Sequence, residues 1–330
     1  MTICSVTWLL QQIFIGLAVI CGVAPYAGAS YTYVTTSSNS VLKVDLNAGN
    51  TQLVATLPSG VAPDVIGIAY DDQGRIYVGT TLNSATAWKK RVIRITPQGN
   101  GSSIAEQFTA PITSTYGTGQ IGFNSKGELF VAGNTDQVIY RYNQFGTLIG
   151  TMGFNGNAAN NVGLYIDNDT VYSIGYFSPY KLVRYDTSGS QPVGGVIAQL
   201  QFPYDYCPTS LCKSHTGNLA IGFSSVYNHA GWTELWEYNL QTQEVHKLFD
   251  CGKRPSGFSQ YDPYTNTYLI GGSGGLTILD TQGNFVKSIP CPDLSSVRLI
   301  SETFVPEPAT LLLFGLGAVM LRKQQKSLFT

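Results

Sequence analysis

Ile66-Gly67-Ile68-Ala69-Tyr70-Asp71-Asp72-Gln73-Gly74-Arg75-Ile76-Tyr77-Val78-Gly79 recurs as Ile121-Gly122-Phe123-Asn124-Ser125-Lys126-Gly127-Glu128-Leu129-Phe130-Val131-Ala132-Gly133. Each copy reads as an apolar strand, a polar turn and a second strand that runs out into glycine. Looser copies occupy residues 162–175 and 257–271. A third strand follows each unit, at 40–45, 91–95, 138–142, 181–186, 234–238 and 275–280, with the apolar–polar alternation of a half-buried strand. A Gly- or Asn-containing turn then leads to a fourth, as at 52–57, 147–152, 244–249 and 284–289.

Six third-strand copies spaced about 42 to 53 residues apart define six four-stranded units, the period of a β-propeller. The chain ends predict how the ring shuts. Tyr31-Thr32-Tyr33-Val34 matches a second strand, so the first unit lacks its innermost strand, and residues 296–304 are left over to supply it. Such a circular clasp removes exposed sheet edges. The fifth unit, residues 202–250, fits least well, and its innermost strand is not identified from sequence.

Composition sets limits on function. Charged residues make up 12% of the chain, against about 25% in an ordinary soluble protein, while Gly (36) and Tyr (20) are abundant. The formal net charge of −1 leaves no basic footprint for nucleic acid.

Both ends read as targeting segments. Residues 13–23 form an apolar run, and Ala27-Gly28-Ala29 offers the small-x-small pattern of a signal peptidase site, which predicts cleavage before Ser30. No Lys or Arg precedes the run, so the free amino terminus carries the positive charge of this signal peptide. At the other end, Pro306-Glu307-Pro308 leads into the apolar residues 311–321 and then Arg322-Lys323. Eleven apolar residues fall short of the roughly 20 that span a bilayer comfortably, and the basic cluster would hold the C-terminus on the cytoplasmic side. A hydrophobic sorting helix, transmembrane in the precursor, is the expectation. The domain reading is thus a signal peptide at 1–29, a six-bladed all-β propeller at 30–304 and a sorting tail at 305–330.

The tail resembles the PEP-CTERM sorting domain of exported proteins of Gram-negative bacteria. Its three parts, Pro306-Glu307-Pro308, the apolar run and Arg322-Lys323, stand in order. The resemblance implies recognition by an exosortase, processing near the tripeptide, inner-membrane anchoring of the precursor, and a host that makes exopolysaccharide or biofilm matrix. The final location it implies is the cell surface or the extracellular space. The body resembles the YVTN and NHL-like propellers, a likeness carried by residues 33–45 and by Asp72-Gln73-Gly74-Arg75-Ile76-Tyr77-Val78. Such propellers include lactonases, other hydrolases and pure binding scaffolds, so the fold leaves function open.

Four cysteines follow the signal segment: Cys207, Cys212, Cys251 and Cys291. An even count in an exported chain predicts disulfides. Cys207-Pro208-Thr209-Ser210-Leu211-Cys212 reads as a short loop suited to a local bridge, leaving Cys251 for Cys291, though three connectivities satisfy the count. All four are expected in crossovers between blades. Zinc, with His215 three residues after Cys212, is the weaker alternative, because no CxxC spacing or nearby second histidine supports it.

Catalytic patterns are sparse. His215, His229 and His246 are the only histidines, and neither a Gly-x-Ser-x-Gly elbow nor a phosphate-binding glycine loop occurs. The enzyme reading is a lactonase-like hydrolase holding Ca²⁺ or another divalent cation in the central channel on oxygen ligands. Residues in or next to innermost strands are its candidates: Asp64, Gln120, Asn160, Asn161, His215 and Arg254. Only one is a carboxylate, so the preferred reading is a non-enzymatic binding scaffold outside the cell. Its partners would be extracellular polysaccharide or a surface protein, met through aromatic loop residues such as Trp88, Tyr116, Tyr176, Phe177, Tyr180, Tyr204, Tyr206 and Trp232. Signal peptidase and exosortase would act during export.

Overall fold

A computed structural model describes residues 30–61, 67–98, 102–153, 161–175, 180–202, 207–224, 232–253, 258–272, 274–292 and 297–301. The expected signal peptide and sorting tail lie outside these residues. No helix among the described residues is long and apolar enough to cross a membrane.

Within Ser30–Phe304 the chain folds into six four-stranded antiparallel sheets. Blade 1 contains β1 (Tyr31–Thr36), β2 (Ser40–Asp45) and β3 (Thr51–Thr56). Blade 2 is β4 (Gly67–Tyr70), β5 (Ile76–Gly79), β6 (Val92–Pro97) and β7 (Ser103–Gln107). Blade 3 is β8 (Thr118–Phe123), β9 (Leu129–Gly133), β10 (Val138–Tyr142) and β11 (Leu148–Gly153). Blade 4 runs from β12 (Asn161–Asp167) through β13 (Thr170–Gly175) and β14 (Tyr180–Asp186) to β15 (Val193–Leu200). Blade 5 is β16 (Cys207–Lys213), β17 (Leu219–Ser224), β18 (Trp232–Tyr238) and β19 (Val245–Lys253). Blade 6 is β20 (Ser259–Asp262), β21 (Thr267–Gly272), β22 (Gly275–Leu279) and β23 (Phe285–Pro290).

The last strand, β24 (Val297–Ile300), does not extend blade 6. It becomes the innermost strand of blade 1, pairing Ile300 with Val34 and Leu299 with Thr35. Ser301 locks the seam: its N–H donates to the Tyr33 carbonyl (2.8 Å), its Oγ accepts the Tyr33 N–H (2.9 Å), and its carbonyl accepts the Thr32 hydroxyl (2.9 Å). The clasp expected from the leftover strand is therefore present.

Alternation along each second strand builds the ring. Ile76 and Val78 face blade 1, whereas Tyr77 between them faces blade 3. The buried apolar residues accordingly form six clusters, each shared by two neighbouring blades, and the last joins blade 6 (Leu269, Leu276, Ile289) to blade 1 (Val34, Leu42, Ile300). No blade buries both faces alone, which is why the repeats must close on one another. Tyr33, Tyr77, Phe130 and Tyr172 hold the same place in successive second strands and supply much of this inter-blade bulk.

Turn chemistry accounts for a recurring set of Asp and Asn residues. Asp45, Asn143, Asp186, Asn239 and Asp280 each end or follow a third strand and accept backbone N–H groups two to four residues ahead. In the turns between first and second strands a left-handed residue recurs, Gly74, Gly127, Asn168, Gly217 or Asn266, where only Gly or Asn is adopted at low cost.

The cysteine expectations need correction. Residues 207–212 form strand, not loop, and five extended residues separate Cα atoms by about 16 Å, far beyond disulfide reach. Pro208 misleads the sequence reading, yet β16 is a sheet edge with a bulge beside it, where a missing N–H is tolerated. Cys251 lies in the cluster between blades 5 and 6 and Cys291 in that between blades 6 and 1, so the sheet of blade 6 stands between them. No disulfide joins Cys212, Cys251 or Cys291, and burial pushes the Cys291 thiol up to about 11.

Candidate functional site

The innermost strands β24, β4, β8, β12, β16 and β20 surround the axis. Each is bonded to a neighbouring strand on one side only, so alternate backbone N–H and C=O groups of its other edge point into the channel. Gln120 of β8 answers two of them. Its Oε1 accepts the N–H of Leu164 in β12 (2.7 Å) and of Leu211 in β16 (3.3 Å), tying blades 3, 4 and 5 through one amide. Gly163 makes room for this: a Cβ there would come within 3.2 Å of Leu211 Cβ and 2.7 Å of Ile174 Cγ2. Next to it, Ser210 and Ser259 share a hydrogen bond (2.8 Å), and the Ser259 N–H donates to Ser210 Oγ (3.1 Å), linking blades 5 and 6.

Of the channel candidates, Gln120 reaches the inner ring and works there as a crosslink. His215 does not. It sits in the turn beyond β16, exposed, with Nδ1 3.1 Å from the Tyr268 hydroxyl, while the buried Cys212 thiol packs into the inter-blade core. Asp64, Asn160 and Arg254 lie outside the described residues. Asn161 is placed only by its backbone, opposite Gly175. Among the described residues no group of three or more His, Cys, Asp or Glu side chains is arranged to hold a metal ion.

A second feature lies on the face where the chain enters and leaves the ring. The first turns of blades 2 and 3 enclose a cleft of about 390 Å³, lined by Tyr70, Asp72, Gln73, Phe123 and Gln144 among others. Its floor is fixed. Asp71 accepts the N–H groups of Gln73 (3.1 Å) and Arg75 (2.9 Å), the Arg75 Nε–H (2.6 Å) and the Tyr77 hydroxyl (3.0 Å). Burial and the Asp71 carboxylate push the Tyr77 hydroxyl up to about 12. On the other wall Asn124 Oδ1 accepts from Lys126 N (3.1 Å) and Glu128 N (3.0 Å). The Lys126 ammonium is held by the carbonyls of Thr187 (2.9 Å) and Ser188. Behind it, Glu128 and Arg141 form a buried two-point ion pair (2.8 and 3.1 Å).

Tyr70 and Phe123 end equivalent first strands, and the same place elsewhere holds Ile166, Lys213 or Tyr261. This aromatic pair was legible in the repeat, since both residues precede the polar turn, but only the fold sets the two turns side by side. Two of the aromatic candidates instead pack inward. Tyr180 is buried against Phe202 (5.3 Å), and Trp88 leans on the cluster of blades 1 and 2, whereas Tyr116 is exposed. Tyr176, Phe177, Tyr204 and Tyr206 lie outside the described residues, and only the backbone of Trp232 is described.

Residues 304–324 match the family model of the PEP-CTERM protein-sorting motif, so the chain carries that motif. It implies handling by an exosortase-type system and an exported, membrane-anchored precursor in a Gram-negative bacterium. No curated protein sequence matches the chain. Among solved structures, a chain of a nidogen–laminin complex is similar at 12% identity and a TM-score of 0.59, covering 83% of this chain and 98% of its own. A gluconolactonase of Xanthomonas campestris is similar at 12% identity and a TM-score of 0.53, covering 71% and 78%. Likeness at this identity shows the propeller fold alone.

Proposed function

We propose that the protein is an exported, non-enzymatic binding scaffold, delivered by an exosortase-type system and displayed at the cell surface or in the extracellular matrix, with polysaccharide or a surface protein as its partner. One observation carries the choice of scaffold over hydrolase. The Gln120 oxygen, a neutral group on the inner ring that a channel cation would use, already accepts two backbone N–H groups from other blades. That arrangement stiffens the ring and leaves its loops and clefts as the surface for recognition. The gluconolactonase likeness adds no catalytic residue to this chain.

Two measurements test the reading. The full-length protein, purified in mild detergent, is incubated with matrix isolated from the producing cells, and saturable retention is expected. Turnover of a sugar lactone that a chelator abolishes, without matrix retention, would replace the scaffold by the hydrolase. Mass spectrometry of the protein recovered from the producing cells is expected to find a C-terminus near Pro306-Glu307-Pro308. An intact Thr330 in the surface fraction would count against processing.

A further inference from the structure

We propose that the cleft between the first turns of blades 2 and 3 binds an uncharged saccharide. This rests on the scaffold reading and gives it a site and a ligand class.

Among the exposed polar side chains that line the cleft, Ser125 and Lys126 are engaged with Asp169 and with the carbonyls of Thr187 and Ser188, whereas those of Asp72, Gln73 and Gln144 make no hydrogen bond or ion pair among the described residues. Between them stand the half-buried rings of Tyr70 and Phe123, adjacent because equivalent strand ends of neighbouring blades carry them. Amides donate and accept alike, and an aromatic face takes the C–H side of a sugar ring, so the lining answers both aspects of a saccharide. The volume falls within the range of small-ligand sites.

Charge narrows the class. Arg75 neutralises Asp71, and the Lys126 ammonium is turned onto the carbonyls of Thr187 and Ser188. The lining thus carries two carboxylates, Asp71 and Asp72, against two cations, Arg75 and Lys126, both cations already engaged, so it has no net charge to draw in uronates, sulfates or phosphates and suits an uncharged ligand. The Asp71 and Asn124 turn networks hold both walls before a ligand arrives, which lowers the ordering cost of binding.

Calorimetry on the full-length chain in mild detergent tests this with cellotetraose, maltotetraose and laminaritetraose as uncharged probes and a mannuronate tetrasaccharide as the acidic one. At least one uncharged probe should bind saturably, and the uronate about tenfold more weakly. Asp72→Ala and Gln144→Ala alter only exposed positions and should each weaken binding about fivefold, the worth of one hydrogen bond, with Tm unchanged. Phe123→Ala should weaken it further, although that ring also packs on Tyr77 (4.8 Å). If an uncharged probe binds and the two surface variants bind it equally well, the cleft is not the site, while the scaffold reading survives. Stronger binding of the uronate overturns the ligand class. Failure of every probe together with failure of matrix retention removes the scaffold reading and the cleft proposal with it.

Discussion

Gln120 and Leu211 lie 91 residues apart in the chain, yet the Gln120 side-chain oxygen accepts the Leu211 N–H at 3.3 Å, two blades away, while also holding Leu164. One of the candidates for a channel ligand is thus a fastener of the ring. Gln120→Leu keeps the volume and removes the acceptor, leaving two edge N–H groups unanswered. Urea denaturation should show a loss of about 1–3 kcal/mol. A change below about 0.5 kcal/mol would mean that water serves the same donors.

Arg141 is buried against Glu128 and also donates to the Ser190 carbonyl (3.0 Å), joining blade 3 to the last turn of blade 4. Arg141→Met strands a carboxylate whose other side-chain partner is Asn124 (2.8 Å). The expected cost is about 3–5 kcal/mol. Adding Glu128→Gln should restore a large part of it, and simple additivity of the two substitutions in denaturation curves would contradict the coupling.

Glu237 gives the fold an acid limit. Burial alone would raise its carboxyl, but hydrogen bonds from Ser214, Thr216 (2.5 Å) and Asn218 (3.3 Å) outweigh it and hold the group below the ordinary range. A carboxyl lowered by folding stabilises the protein fully above its unfolded value of about 4.3, and that share is lost as pH falls through the folded value. Glu237→Gln should therefore lower Tm at about pH 7, with the gap to wild type closing toward about pH 3. A gap that widens on acidification would refute the assignment.

The thiols of Cys212, Cys251 and Cys291 are buried in inter-blade cores. They should resist a thiol reagent in the native protein and react on unfolding, and reductant should leave Tm unchanged. A drop of several degrees with reductant would show that a bridge supports the fold.

Much of the fold was legible in order along the chain. The repeat at 66–79 and 121–133 announced the hairpin, the Gly and Asn after third strands announced the turns, and the unmatched strand near the C-terminal end announced the clasp that β24 makes. The sorting motif was equally local, a matter of consecutive residue types. These features are written in short-range periodicity and turn chemistry, which act within a few residues.

What the tertiary structure decided depends on which blades meet. The β16 strand hides behind Cys207-Pro208, because a proline reads as a loop until one knows that its strand is an edge facing a channel. The cysteines looked like partners by count alone, until blade 6 came between Cys251 and Cys291. Gln120 looked like a ligand until the ring brought Leu164 and Leu211 to its oxygen, and Tyr70 and Phe123 became one cleft only when their blades stood side by side. A sequence read alone fixes distances of one turn or one hairpin. Contacts between blades arise only once six inter-blade cores have closed the ring.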